Sequence, residues 1–86
     1  MDYQHFDLGH RAKGETVEVA ISRSANVRLM DNENFEKFRY GKEHRPYGGH
    51  YRVSPVLIGI PSTGHWHVVI DLGGHSGTVD ASVRVL

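Results

Sequence analysis

Cysteine is missing from all 86 residues. That rules out disulfides, thiolate metal sites and a cysteine nucleophile, and it fits a reducing compartment. Net charge is missing too, with ten basic residues set against ten acidic ones. A chain balanced in this way has no global electrostatic commitment to nucleic acid or to an anionic membrane surface. Long apolar runs are also absent. No stretch approaches the 18 consecutive apolar residues of a membrane span. The opening Met1-Asp2-Tyr3-Gln4-His5 has neither the basic start nor the apolar core of a signal peptide. The cytoplasm is therefore the expected location. Proline is scarce at three residues, while glycine is plentiful at ten. Turns here are expected to rely mainly on glycine.

What the sequence does have is period-two alternation. Val17, Val19 and Ile21 oppose Glu18 and Ala20; Val27 and Leu29 oppose Asn26, Arg28 and Met30. Val56, Ile58 and Ile60 share a face, as do Trp66, Val68, Ile70 and Leu72. Val79, Ala81, Val83 and Val85 share another, against Asp80, Ser82 and Arg84. One apolar and one wet face per segment is the pattern of antiparallel strands packed on a common core. A looser strand is read at residues 3–8, with Phe6 and Leu8 inward and His5 and Asp7 outward.

One segment departs from this rhythm. Asp31 or Asn32 can cap a short helix over residues 33–40, with Phe35 and Phe38 three apart on one side and Gly41 as its stop. Residues 61–64 (Pro61-Ser62-Thr63-Gly64) join two apolar runs and read as a hairpin turn. The expected fold is all-β: a small antiparallel β-sandwich or flattened barrel with one short helical insertion, spanning 1–86 as a single domain.

Several stretches then resemble a known family: residues 3–9, 25–31 and 47–49, and above all Gly64-His65-Trp66-His67-Val68-Val69-Ile70-Asp71-Leu72-Gly73-Gly74. Across essentially the whole length the chain is similar to a small bacterial domain family of unknown function. The resemblance implies a compact β-rich fold in a bacterial protein. It also implies a sensing or targeting module, since some members carry this domain beside a signalling domain of the Toll/interleukin-receptor type. It brings no catalytic residues, and the domain is expected to stand alone here, without an effector.

Two constellations could carry chemistry. The first lies in residues 37–52, read as helix end and long loop. It holds Lys37, Arg39, Lys42, Arg45 and Arg52, five of the ten basic residues, interleaved with Tyr40, Tyr47 and Tyr51. Guanidinium groups offer forked donors to phosphate or carboxylate, and tyrosines offer flat faces for a ring. The leading expectation is a non-catalytic ligand- or partner-binding module. Arg39, Tyr40, Arg45, Tyr47, Tyr51 and Arg52 would hold an anionic or ring-bearing ligand, or a protein partner. The blander alternative is a solvated loop, its tyrosines closing the sandwich end and its cations paired with Asp31, Glu33 and Glu36.

The second is His65 and His67, two apart on a strand and so on one face. Imidazoles in that spacing suit a zinc or non-haem iron site, and the alternative expectation is a small metal-binding protein or metalloenzyme built on them. Asp71 shares the face but lies about 13 Å along the strand from His67, at roughly 3.3 Å per residue. A third ligand must come from another strand, with His5, His50 and His75 as candidates. Against this stands a simple solvent face opposite Trp66, Val68 and Ile70.

No nucleophile elbow and no phosphate loop occurs, so an enzyme is not expected and no cofactor is implied. A third alternative is structural self-association, because a small sandwich leaves edge strands open to pairing into a homodimer.

Overall fold

The computed structural model describes residues 2–86. Seven strands and one helix follow in the order β1 (Gln4–Arg11), β2 (Thr16–Ile21), β3 (Ala25–Asp31), α1 (Asn32–Arg39), β4 (Tyr47–Tyr51), β5 (Val56–Gly59), β6 (Gly64–Asp71) and β7 (Ala81–Val85). They form two antiparallel sheets. One has the order β1-β6-β3-β4, the other β5-β2-β7. The sheets do not close into a barrel, so the sandwich half of the expectation holds.

The inward residues are the ones that the alternation marks. Val17, Val19 and Ile21 of β2 meet Ala25, Val27 and Leu29 of β3 and Trp66, Val68 and Ile70 of β6, with Val56, Ile60 and Val79 completing the core. At roughly 25 cal/mol per Å² of apolar surface removed from water, this cluster is the main source of stability. Trp66 meets its polar need at the rim, donating Nε1–H to the Ser62 carbonyl at 2.8 Å.

Two sequence expectations need correction. Residues 61–64 are not a hairpin turn. β5 pairs with β2 and β6 pairs with β1 and β3, so this turn carries the chain from one sheet to the other. Alternation reports which face of a strand is buried, not which neighbour it pairs with. Nor are residues 42–51 all loop. Tyr47–Tyr51 form an edge strand against β3, from Ala25↔Tyr51 to Leu29↔Tyr47. The segment has two glycines and no β-branched residue, so intrinsic preference argues against a strand there. Pairing with β3 overrides that preference.

Helix α1 lies on the outer face of the four-stranded sheet. The Asp31 carboxylate caps it by accepting from the Asn34 N–H at 2.9 Å. Gly41, at φ +69°, ends it and donates to the Phe38 carbonyl at 3.2 Å. Phe35 is buried with Met30 and Val69, and Phe38 packs beside them. The helix thus gives β6 a second covered face, which is why Val69 and His67 are as buried as the core side of that strand. Among the described residues no helix is long and apolar enough to cross a membrane.

Candidate functional site

β1 and β6 set the geometry. Asp7 stands directly across from His67, and His10 across from His65. Between them the register slips at Asp7/Gly9. Gly9 takes φ +69°, a conformation that suits the extra residue of a bulge. The Asp7 carboxylate turns back to accept from the Gly9 N–H at 2.9 Å. The same Oδ1 accepts from His65 Nε2 at 2.6 Å.

His67 is 6% exposed, so the solvent face expected for it is in fact covered by α1. Both of its ring nitrogens are engaged. Nδ1 lies 2.8 Å from His5 Nε2, and Nε2 lies 2.5 Å from Asn32 Oδ1. Its ring stacks against Phe35 at 4.5 Å and against His65 at 4.9 Å between centroids. His5 stacks on the same Phe35 at 4.1 Å.

Protonation follows from this packing. The Gly9 amide, then the hydrogen bond from His65, holds the Asp7 carboxyl below its ordinary range. Burial pushes the His67 imidazole down, against a smaller upward pull from the Asp7 carboxylate. Asp7 is thus an anion and His67 a neutral ring at neutral pH.

The outcome is a cluster in which one ligand atom from each of Asp7, His65 and His67 lies within 4.8 Å of the others. A tetrahedral ion with bonds of about 2.0–2.2 Å keeps its donors roughly 3.3 Å apart, so small torsional changes bring this set to coordination distance. Two imidazoles and a carboxylate suit zinc, iron, nickel or copper rather than calcium or magnesium.

Of the candidate third ligands, only His5 adjoins His67. His50 lies on β4 against Asn26 Oδ1 at 3.3 Å, and His75 lies in the connection between β6 and β7. Asp71 is spent elsewhere. It is 2% exposed, ion-paired with Arg28, and accepts from Asn26 Nδ2 at 2.9 Å and from the Gly73 N–H at 2.7 Å. Asp7 and Asn32 are absent from the sequence-based site. The signal for Asp7 was a carboxylate two residues before a glycine inside an alternating strand. Asn32 gave no signal.

The arginine–tyrosine set is spread over several surfaces. Arg39 pairs with Glu36 at 3.0 Å, and its guanidinium lies 5.8 Å from the Phe35 ring and 5.6 Å from the Tyr40 ring. Tyr40 is exposed at the helix C-cap. Tyr47 and Tyr51 pair with the inward residues Leu29 and Ala25, placing them on the core side of β4. Tyr47 meets Trp66 edge-on at 6.0 Å, and Tyr51 packs on the core. Arg45 and Arg52 are exposed. Lys37 pairs with Glu33 at 3.2 Å, whereas Asp31 serves as the helix cap.

The chain belongs to the DUF1883 family, a domain of unknown function, whose family model matches residues 1–86. No curated protein and no solved structure matches it significantly.

Proposed function

We propose that this domain is a binding module for a divalent transition-metal ion, held on the outer face of the four-stranded sheet by Asp7, His65 and His67. The convergence of their three ligand atoms within 4.8 Å carries the reading. Protonation supports it: a ligand carboxylate must be ionised and a ligand imidazole neutral, and hydrogen bonds from Gly9 and His65 drive Asp7, and burial drives His67, in those directions. Position supports it as well. The His65 and Asp7 side chains keep 39% and 53% of their surface in solvent, which gives an ion a path in. Three protein ligands leave a fourth position for water or an outside donor, as in reactive rather than purely structural sites. The role we assign is sensing or capture of the ion.

Protein purified without a histidine tag, stripped with chelator and titrated with Zn²⁺ by calorimetry, tests this. One equivalent is expected, with binding lost in His65→Ala. Less than about a tenth of an equivalent bound at saturating zinc removes the reading.

A second reading concerns the opposite edge. Arg45 and Arg52 are exposed and make no ion pair among the described residues, unlike Lys37 and Arg39. Such cations suit a phosphate-bearing ligand, with Tyr40 and Tyr47 nearby in sequence to offer ring faces. Salt-sensitive retention on phosphocellulose that vanishes in an Arg45→Ala, Arg52→Ala double variant supports it. Equal retention of the two proteins removes it.

A further inference from the structure

We infer that His67 takes the ion through Nδ1, that Asn32 enforces this choice by holding the Nε2 proton, and that His5 is the group the ion displaces. This rests on the metal reading above and deepens it.

The hydrogen-bond roles allow one assignment. Asn32 Oδ1 can only accept, so the His67 nitrogen 2.5 Å from it carries the proton. A neutral imidazole has one N–H, which leaves the lone pair of His67 on Nδ1. His5 must then donate its own Nε2–H to that lone pair across 2.8 Å. The lone pair a metal needs is therefore already formed, and it is occupied by a proton from His5.

Topology agrees. β6 runs between β1 and β3. Asn32 opens α1 directly after β3, while His5 and Asp7 both belong to β1. The Nε2 edge of the His67 ring thus faces the β3 side, and the Nδ1 edge faces the strand that supplies Asp7. Stacking between Phe35 and His65 keeps the ring from turning over.

An sp² lone pair serves one partner at a time. When an ion takes Nδ1, His5 must withdraw, and its exposed position on β1 gives it room to do so. Asn32 stays, and its hydrogen bond strengthens as the metal draws charge from the ring. This is how an outer partner orients a ligating histidine. Because Asn32 is the first residue of α1, ion binding and the seating of the helix reinforce each other. Asn32 is in these terms a positioning residue and His5 a competitor.

Zn²⁺ affinity of variants and ¹H–¹⁵N long-range NMR of the histidine rings test the inference. Asn32→Ala should weaken zinc binding about 10- to 100-fold. Asn32→Asp keeps the acceptor and should restore most of it, which separates positioning from a general loss of fold. His5→Phe keeps a ring against Phe35 but removes the competing donor, and should tighten binding about 3- to 10-fold, the worth of one neutral hydrogen bond. In the zinc-loaded spectrum His67 should keep its Nε2 proton and show metal on Nδ1. Weaker binding in His5→Phe makes His5 a ligand and overturns the inference. So does metal on Nε2, or an unchanged affinity in Asn32→Ala; in each case wild-type zinc binding would leave the metal reading intact. A wild-type protein that takes up no zinc removes both.

Discussion

Asp7 and His67 face each other across the β1–β6 pair, and the bulge that follows Asp7 turns its carboxylate onto His65, at 2.6 Å, as well. The bulge depends on Gly9 at φ +69°, a conformation that costs an L-residue about 1–2 kcal/mol. Gly14 has φ +94° but lies in the β1–β2 turn, away from the cluster. Neither glycine has another atom within 4 Å of where a Cβ would be built, so alanine adds backbone strain but no clash at either. Gly9→Ala and Gly14→Ala should therefore lose similar stability, on the order of 1–2 kcal/mol by urea denaturation. Only Gly9→Ala should also lose zinc affinity in calorimetry. Equal zinc binding by the two variants would show that the bulge does not aim Asp7.

Burial pushes the His67 imidazole below its ordinary value, so stability should depend on pH with a definite sign. Between the lowered folded value and about 6.5, the unfolded chain binds more protons than the folded one. The contribution is fully present above about 6.5 and is lost as pH falls through the folded value. Asp7 stays ionised throughout, because its own value is lowered from 3.8. Metal-free wild-type protein should show a falling urea midpoint from pH 7.5 to pH 5, and His67→Gln a shallower fall. Parallel curves for the two proteins would mean that His67 is not the group responsible.

Six of the seven strands show their buried face in the sequence, and none shows its neighbour. Val17-x-Val19-x-Ile21 and Trp66-x-Val68-x-Ile70 announce their buried sides because the strand period is two. Nothing in that period says that β6 runs between β1 and β3, and so residues 61–64 read as a hairpin turn although they join two different sheets. β4 was hidden for a related reason. Tyr47-Gly48-Gly49-His50-Tyr51 has little strand preference of its own, and β3 imposes the conformation. The site divides along the same line. His65 and His67 share a face by spacing alone, whereas Asp7 joins them only through strand pairing and a bulge. Asn32 joins only through the docking of a helix.

Asp71 shows how much depends on a buried group outside the site. Its side chain has no exposed surface, and that of Arg28 keeps 24% of its own. Asp71→Ala removes the charge partner of Arg28 and the acceptor for both Asn26 Nδ2 and the Gly73 N–H. Breaking one side of a buried pair costs about 3–5 kcal/mol, and the partial exposure of Arg28 points to the lower end, about 3 kcal/mol. Chemical denaturation of the metal-free variant measures this. A loss under about 1 kcal/mol would mean that water replaces the carboxylate without difficulty.

Gly48 and Gly49 are neighbours on β4 with opposite tolerance. Gly48 has φ +112°, and a Cβ there would collide with the Val27 carbonyl oxygen, a backbone atom that cannot step aside. Gly49 has no positive φ, and a Cβ there meets nothing within 4 Å. Gly48→Ala must shift β4 away from β3, adding steric clash to backbone strain of on the order of 1–3 kcal/mol. Gly49→Ala should change stability by no more than about 1 kcal/mol, and in the stabilising direction, since it removes unfolded-state freedom without strain. The metal cluster offers an internal check. It lies on β1 and β6, with β3 between it and β4, so a Gly48→Ala protein that still folds should keep its zinc affinity. Amide exchange would then show the lost protection confined to β4 and its partners on β3. A loss spread evenly over β1 and β6 would show instead that the edge strand helps to hold the whole sheet.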